Sequence, residues 1–193
     1  MMTIEEIQAR LKEGNTRYVS DSKNAAQQDL IRREALVDGQ EPFAIILSCA
    51  DSRVVPEMIF DTGLGELFVI RVAGNIANSS SIASIEYAVA HLGTKVIVVL
   101  GHQSCGAVTA AVSAAKNNED LGKHLNHLVG HIGPAIKASS DDDAINDIVK
   151  KNAELTSVEL GNSSEIIGDA LEVGSLKILP AYYNLDGGKV EFL

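Results

Sequence analysis

Tryptophan is absent from the 193 residues, and cysteine occurs only at Cys49 and Cys105. Two cysteines are too few for a disulfide framework, which narrows their roles to metal ligation, redox chemistry, nucleophilic attack or packing. Excess positive charge is missing as well. A formal net charge of −10 leaves no clustered Lys and Arg to neutralise nucleic-acid phosphates or to dock on anionic lipid, so neither a nucleic-acid nor a membrane partner is expected. No apolar run approaches the ~20 residues that span a bilayer, and the opening MMTIEEIQAR lacks the basic-then-apolar pattern of a signal peptide. A cytoplasmic protein is the expectation. Internal repeats and long low-complexity segments are lacking too. What is present is 46% hydrophobic residues, enough to bury one core, and a length that favours a single domain over 1–193.

Short apolar runs alternate with helical patterns. Thr3-x-x-Glu6 is a capping-box pattern, and Ile4, Ile7 and Leu11 follow at helical spacing, predicting an amphipathic N-terminal helix. A polar stretch over 20–29 precedes a second helical segment. The continuous runs over 43–48, 67–72 and 96–100 are too short for buried helices and read as strands buried on both faces, and the helix between the last two, with Ile82, Ile85, Val89 and Leu92 on one side, predicts that they run parallel. Further helices are predicted over 107–116, 121–137 and 143–160, with a loop over 139–143 leading to a cap, and a late strand over 176–183. The tail NLDGGKVEFL reads as a turn and an edge strand. This is an α/β fold: three layers, α/β/α, around a mainly parallel sheet of about four strands plus a C-terminal edge strand.

Two polar clusters fall at carboxyl ends of predicted strands, Cys49-Ala50-Asp51-Ser52-Arg53 and Gly101-His102-Gln103-Ser104-Cys105-Gly106. Ligands of open α/β sheets bind at that edge, so the clusters meet if their strands are neighbours. Cys49, His102 and Cys105 then form a set of soft ligands suited to tetrahedral zinc, with a fourth position left for water, substrate or Asp51. Asp51 can bind the metal or turn away to pair with Arg53, whose planar fork matches a carboxylate. The plainer alternatives are buried cysteines and a core histidine beside a structural ion pair, or a redox couple.

The segments CADSRV and GHQSCGAV resemble the two signatures of β-class carbonic anhydrases. GLGELFVIRVAGN, SIEYAV and AYYNLDGGKVEFL also look like that family, so the likeness extends over most of the chain. The resemblance implies zinc-dependent, reversible hydration of carbon dioxide to bicarbonate by attack of zinc-bound hydroxide. It implies one zinc ion per chain on Cys49, His102 and Cys105, with Asp51 a ligand only in a closed state, and a catalytic dyad of Asp51 and Arg53. Gln40, Phe68, Ala73, Tyr87 and Gly106 match pocket positions, some of which cross from a neighbouring subunit in the family. Ala73 replaces the family's usual Val, and Val72 an Asn. The family also implies a homo-oligomer, a dimer or a tetramer-of-dimers type, with 1–38 as a helical arm packing on a neighbour. Its allosteric branch holds bicarbonate with a Trp, an Arg and a Tyr. Arg71 and Tyr183 match, but Ile46 stands in place of the Trp, favouring the plant-like, non-allosteric type.

His124, His127 and His131 fall within about 60° of one another on a single helix, a second possible metal set. Leu121, Leu125, Leu128 and Ile132 mark the expected buried face beside them, which favours partly solvated histidines. His91 suits a helix C-terminus, and Gly63-x-Gly65 reads as a turn. Two rival functions remain in the sequence: hydrolysis of carbon disulfide or carbonyl sulfide on the same scaffold, and a non-enzymatic zinc or redox module.

Overall fold

Apolar runs too short for helices become the parallel strands of this chain. The computed structural model describes residues 2–24, 28–140 and 142–193; part of the polar stretch over 20–29 and one residue of the 139–143 loop therefore lie outside the described residues. The order is α1 (Ile4–Val19), α2 (Leu30–Ala35), β1 (Ala44–Ser48), α3 (Pro56–Ile59), β2 (Leu67–Arg71), a 3-10 turn (Ala73–Asn75), α4 (Ser79–Leu92), β3 (Val96–His102), α5 (Gly106–Asn117), α6 (Lys123–Lys137), α7 (Ile145–Ser163), α8 (Glu165–Glu172), β4 (Lys177–Tyr183) and β5 (Val190–Phe192). The five strands form one sheet in the order β2-β1-β3-β4-β5. β2, β1, β3 and β4 run parallel, and β5 closes the far edge antiparallel to β4.

Every residue of β1 and β3 is buried, as parallel strands covered by helices on both faces require. Their side chains alternate between two cores. Ile46, Val98 and Leu100 pack with Leu11, Ile59 and Phe60 on the α1/α3 side. Ile45, Leu47, Ile97 and Val99 pack with Ile85, Ala153, Leu160 and Ile167 on the other. The run over 67–72, expected to be buried on both faces, is corrected here: β2 is an edge strand in which only Leu67 is buried and Arg71 is exposed, and among the described residues no strand lies beyond it. The helix expected over 143–160 runs on to Ser163, where Ser164 ends it and caps α8 by accepting from the Ile167 N–H at 3.2 Å.

The N-terminal capping box forms as the sequence predicts, with Glu6 N–H donating to Thr3 Oγ1 and Thr3 N–H to Glu6 Oε2. Its apolar stripe turns inward. Ile7 and Leu11 are buried in this chain's own core, so they are not free to meet a neighbour. Asn15, one turn further on, donates to Ile59 O and Gly188 O at 3.1 and 2.8 Å and accepts from Val190 N–H at 2.8 Å. What the arm leaves outward is α2, none of whose residues is buried. Ile31 and the nearby Val37 are 74% and 79% exposed. α2 is held beside the entry to β2 by Arg32 Nε donating to Leu64 O at 3.0 Å.

Candidate metal centre

The chain leaves β1 for β2 on one side and returns to β3 on the other, so the topological switch lies between β1 and β3, where open α/β sheets bind ligands. Cys49 follows β1 directly, His102 is the last residue of β3, and Cys105 is the N-cap of α5. Because β1 and β3 are paired in parallel register, both polar clusters reach one crevice. The ligand atoms of Cys49, His102 and Cys105 all lie within 4.8 Å of one another, and all three residues are buried.

Each ligand is oriented by its surroundings. His102 Nδ1 lies 2.9 Å from Gln103 O, which fixes Nδ1 as the protonated nitrogen and leaves the Nε2 lone pair free. That Nε2 is buried without a hydrogen-bond partner, a costly arrangement unless a ligand takes it. Cys49 Sγ accepts from the N–H groups of Asp51 and Gly74, both at 3.4 Å. The Cys105 thiol donating to it, with these N–H groups, outweighs burial and pulls the Cys49 pKa down to about 4. Facing that thiolate, and buried, Cys105 is pushed up. The pair thus shares one proton, which a divalent cation would displace on taking both sulfurs. Two thiolates and an imidazole in a buried, tight cluster fit zinc.

Asp51 is held in a bidentate pair with Arg53: Nε donates to Oδ1 at 2.9 Å and Nη2 to Oδ2 at 2.8 Å, joined by Arg53 N–H to Oδ1 at 3.0 Å. These bonds hold the Asp51 carboxyl well below the usual carboxylate range, against the opposing effect of burial, and raise Arg53 in turn. Asp51 Oδ2 stands 3.9 Å from His102 Nε2, close to the crevice without being drawn into it. Arg71 braces the segment by donating to Cys49 O at 3.2 Å and Asp51 O at 2.6 Å. The Tyr183 hydroxyl meets that of Tyr18 at 3.1 Å.

The remaining pocket positions divide. Ala73 precedes Gly74, and Gly106 follows Cys105 as the first residue of α5, so both adjoin the cluster. Gln40 lies on the surface before β1, lining a groove with Arg32 and Leu36. Phe68 pairs with Ile45 in the sheet, about 13 Å back along β1 from Cys49 at strand rise. Its ring lies 6.2 Å from that of Tyr87, which is 48% exposed. Within one chain these three are not brought to the sulfurs.

Among the described residues, the second histidine set does not converge in the same way. His127 and His131 are 5.0 Å apart between ring centroids, and His131 Nδ1 is 3.7 Å from Glu159 Oε1. The face expected beside them is corrected: Leu125 is 55% exposed, and α6 packs through Leu128, Val129, Ile132, Ala135 and Ile136. Sequence reasoning missed Gly74, whose φ of +71° turns its N–H onto Cys49; a lone Gly in AGN gives no signal of that role. It also missed Asn146 and Asn152, which stand among ordinary polar helix residues.

The geometry is that of a Cys-His-Cys ligand cluster, consistent with zinc, at the switch point of a parallel sheet. The model of the carbonic anhydrase family matches residues 44–190. Carbonic anhydrase 2 of Mycobacterium tuberculosis (strain ATCC 25618 / H37Rv) is 39% identical over 181 residues, 93% of this chain and 87% of that protein. A carbonic anhydrase of Mycolicibacterium smegmatis is 37% identical over 185 residues, covering 94% and 89%. Among solved structures, one of two tetrameric β-carbonic anhydrases from the filamentous ascomycete Sordaria macrospora matches with a TM-score of 0.73 and 26% identity, covering 83% of this chain and 85% of that one. The chain belongs to the β-carbonic anhydrase family. Among the described residues, no helix is long and apolar enough to cross a membrane.

Proposed function

We propose that this enzyme interconverts carbon dioxide and bicarbonate, with one zinc ion per chain held by Cys49, His102 and Cys105. The observation that carries this reading is the buried, unpartnered Nε2 of His102 aimed into a pair of cysteine sulfurs. Zinc held there supplies an acidified water, and hence a strong oxygen nucleophile, near neutral pH. Asp51, fixed by Arg53, presents a carboxylate oxygen beside the crevice to accept a hydrogen bond from the nucleophile and aim its lone pair at the carbon of carbon dioxide. The ion pair also keeps Asp51 ionised and off the metal; closure of the site by Asp51 requires that pair to break. Two cysteines left unbridged by a disulfide suit a reducing, cytoplasmic compartment.

Elemental analysis should find about one zinc per chain, and stopped-flow assay should find rapid hydration. Iron, or no metal, in active protein would overturn the assignment, as would hydrolysis of carbonyl sulfide or carbon disulfide in place of carbon dioxide hydration. Bicarbonate added to the same assay should inhibit without cooperativity. Ile46 is buried in the sheet, Arg71 is engaged with the Cys49 and Asp51 carbonyls, and Tyr183 with Tyr18, which together supports the non-allosteric type.

The chain works as a homo-oligomer in this reading. Residues 1–193 act as one domain, and the part of 1–38 that meets a neighbour is α2, not the stripe of α1. α2, the open edge of β2 and the Phe68–Tyr87 pair offer apolar surface on which a second copy can supply Gln40, Phe68 and Tyr87 to the pocket. Light scattering should give at least a dimer, and a fully active monomer would refute the shared pocket.

A further inference from the structure

We infer that Asn146 and Asn152 of α7 are positioning residues for the metal ligands, Asn146 fixing the turn between His102 and Cys105 and Asn152 fixing the Gly74 backbone whose N–H bonds the Cys49 sulfur. The inference rests on the zinc reading above. At ~100° per residue, Asn146, Val149 and Asn152 fall within about 120° of one another on α7, and each meets a different part of the site.

Asn152 is almost fully buried, and its Nδ2 donates to Gly74 O at 2.9 Å. Gly74 is the residue whose N–H donates to Cys49 Sγ. A glycine with no anchor has wide backbone freedom, and a small rotation would swing that N–H off the sulfur. Asn152 removes the freedom from behind. An N–H donor on a thiolate directs its remaining lone pairs and tunes its basicity, which is how partners beyond the ligands set metal affinity.

Asn146 Oδ1 accepts from Ser104 N–H at 2.9 Å. Ser104 lies between His102 and Cys105 with φ +55°, a left-handed conformation that a serine keeps only where its surroundings enforce it. That turn sets the separation of the two ligands. Between the asparagines, Val149 presses on Gly101, the residue before His102: a Cβ there would come 2.9 Å from Val149 Cγ1 and 3.3 Å from Val149 O. One helix thus braces the residue after β2 that bonds Cys49, the residue before His102 and the residue before Cys105.

The test is zinc affinity, read by competition with a chromophoric chelator, and the visible spectrum of the cobalt-substituted protein. Asn146→Ala and Asn152→Ala should each weaken zinc binding by about 10- to 100-fold, and Asn152→Ala should shift the thiolate-to-cobalt charge-transfer band. Ser157→Ala is the control, since Ser157 is buried on the same helix but its hydroxyl bonds only Ala153 O; it should bind zinc like the parent. Where Asn152→Ala does not fold, Asn152→Leu keeps the shape and removes the donor without burying a charge, with the same expectation. Asn146 is only partly buried, so Asn146→Ala leaves the core intact. Parent-like affinity in Asn146→Ala and in the folded Asn152 variant would overturn the inference, as would an equal loss in Ser157→Ala. A parent protein that takes up no zinc would instead overturn the zinc reading.

Discussion

Cys105→Ser is expected to strip the protein of zinc and to lower the carbon dioxide hydration rate by a factor on the order of 10³ or more. The serine fits the space, so the loss is one of chemistry. A hydroxyl is not deprotonated at neutral pH, and the site then offers one thiolate and one imidazole where zinc needs three firm protein ligands. Cys105 is fully buried at the start of α5, so no side chain from solvent can take its place. Dialysis against a chelator followed by metal analysis, with hydration followed by stopped flow, checks the result. The thermal midpoint should fall as well, because a ligand that binds only the folded state stabilises it by mass action. A variant that keeps a full complement of zinc and the parent rate would remove Cys105 from the ligand set.

Arg53→Ala should separate catalysis from metal binding. Zinc content is expected to stay at the parent level, since Arg53 touches no ligand atom, while hydration falls by roughly 10² to 10³. The cause is the freed Asp51. Without the two guanidinium bonds at 2.9 and 2.8 Å, the carboxylate is no longer aimed, and it can swing into the fourth coordination position. Arg53→Lys should recover only part of the rate, because an ammonium cannot reproduce the planar two-bond clasp. A metal loss as large as that of Cys105→Ser would contradict the role. The pH dependence of stability gives a second reading. A carboxyl whose folded pKa is depressed contributes stability above its unfolded value, lost as pH falls through the folded one. For Asp51 that folded value lies well below the usual carboxylate range, so the parent should resist acid to lower pH than Arg53→Ala.

The centre of the fold was legible in the sequence because β1 and β3 are unbroken apolar runs, the pattern that a strand buried on both faces takes, although the run of β2 shows that an edge strand can carry it too. The convergence of Cys49, His102 and Cys105 was legible for a related reason, since both polar clusters follow those runs directly and the sheet brings their ends together. The short α3 and α8 were not, because four and eight residues carry too little periodicity to stand out. The stripe of α1 announced a helix but not its partner: burial pattern says that a face is covered, not by which chain. Leu125 fell on the wrong side for the same reason, as a helix face can be read only to within a residue's rotation. Gly74, Asn146 and Asn152 act through hydrogen bonds to backbone atoms of distant segments, and such bonds depend on three-dimensional approach, which spacing along one segment does not encode.

Asn15 joins residues that translation delivers at opposite times. Its side chain bonds Ile59 O, 44 positions away, and then Gly188 O and Val190 N–H at separations of 173 and 175. Contacts of such length form late, since the loop they close must first be ordered. While the ribosome is still at work, α1 can fold as a helix on its own capping box, yet the amide of Asn15 stays open until β5 emerges. The newborn chain therefore carries an unsealed seam between α1 and β5 until the tail arrives to close it.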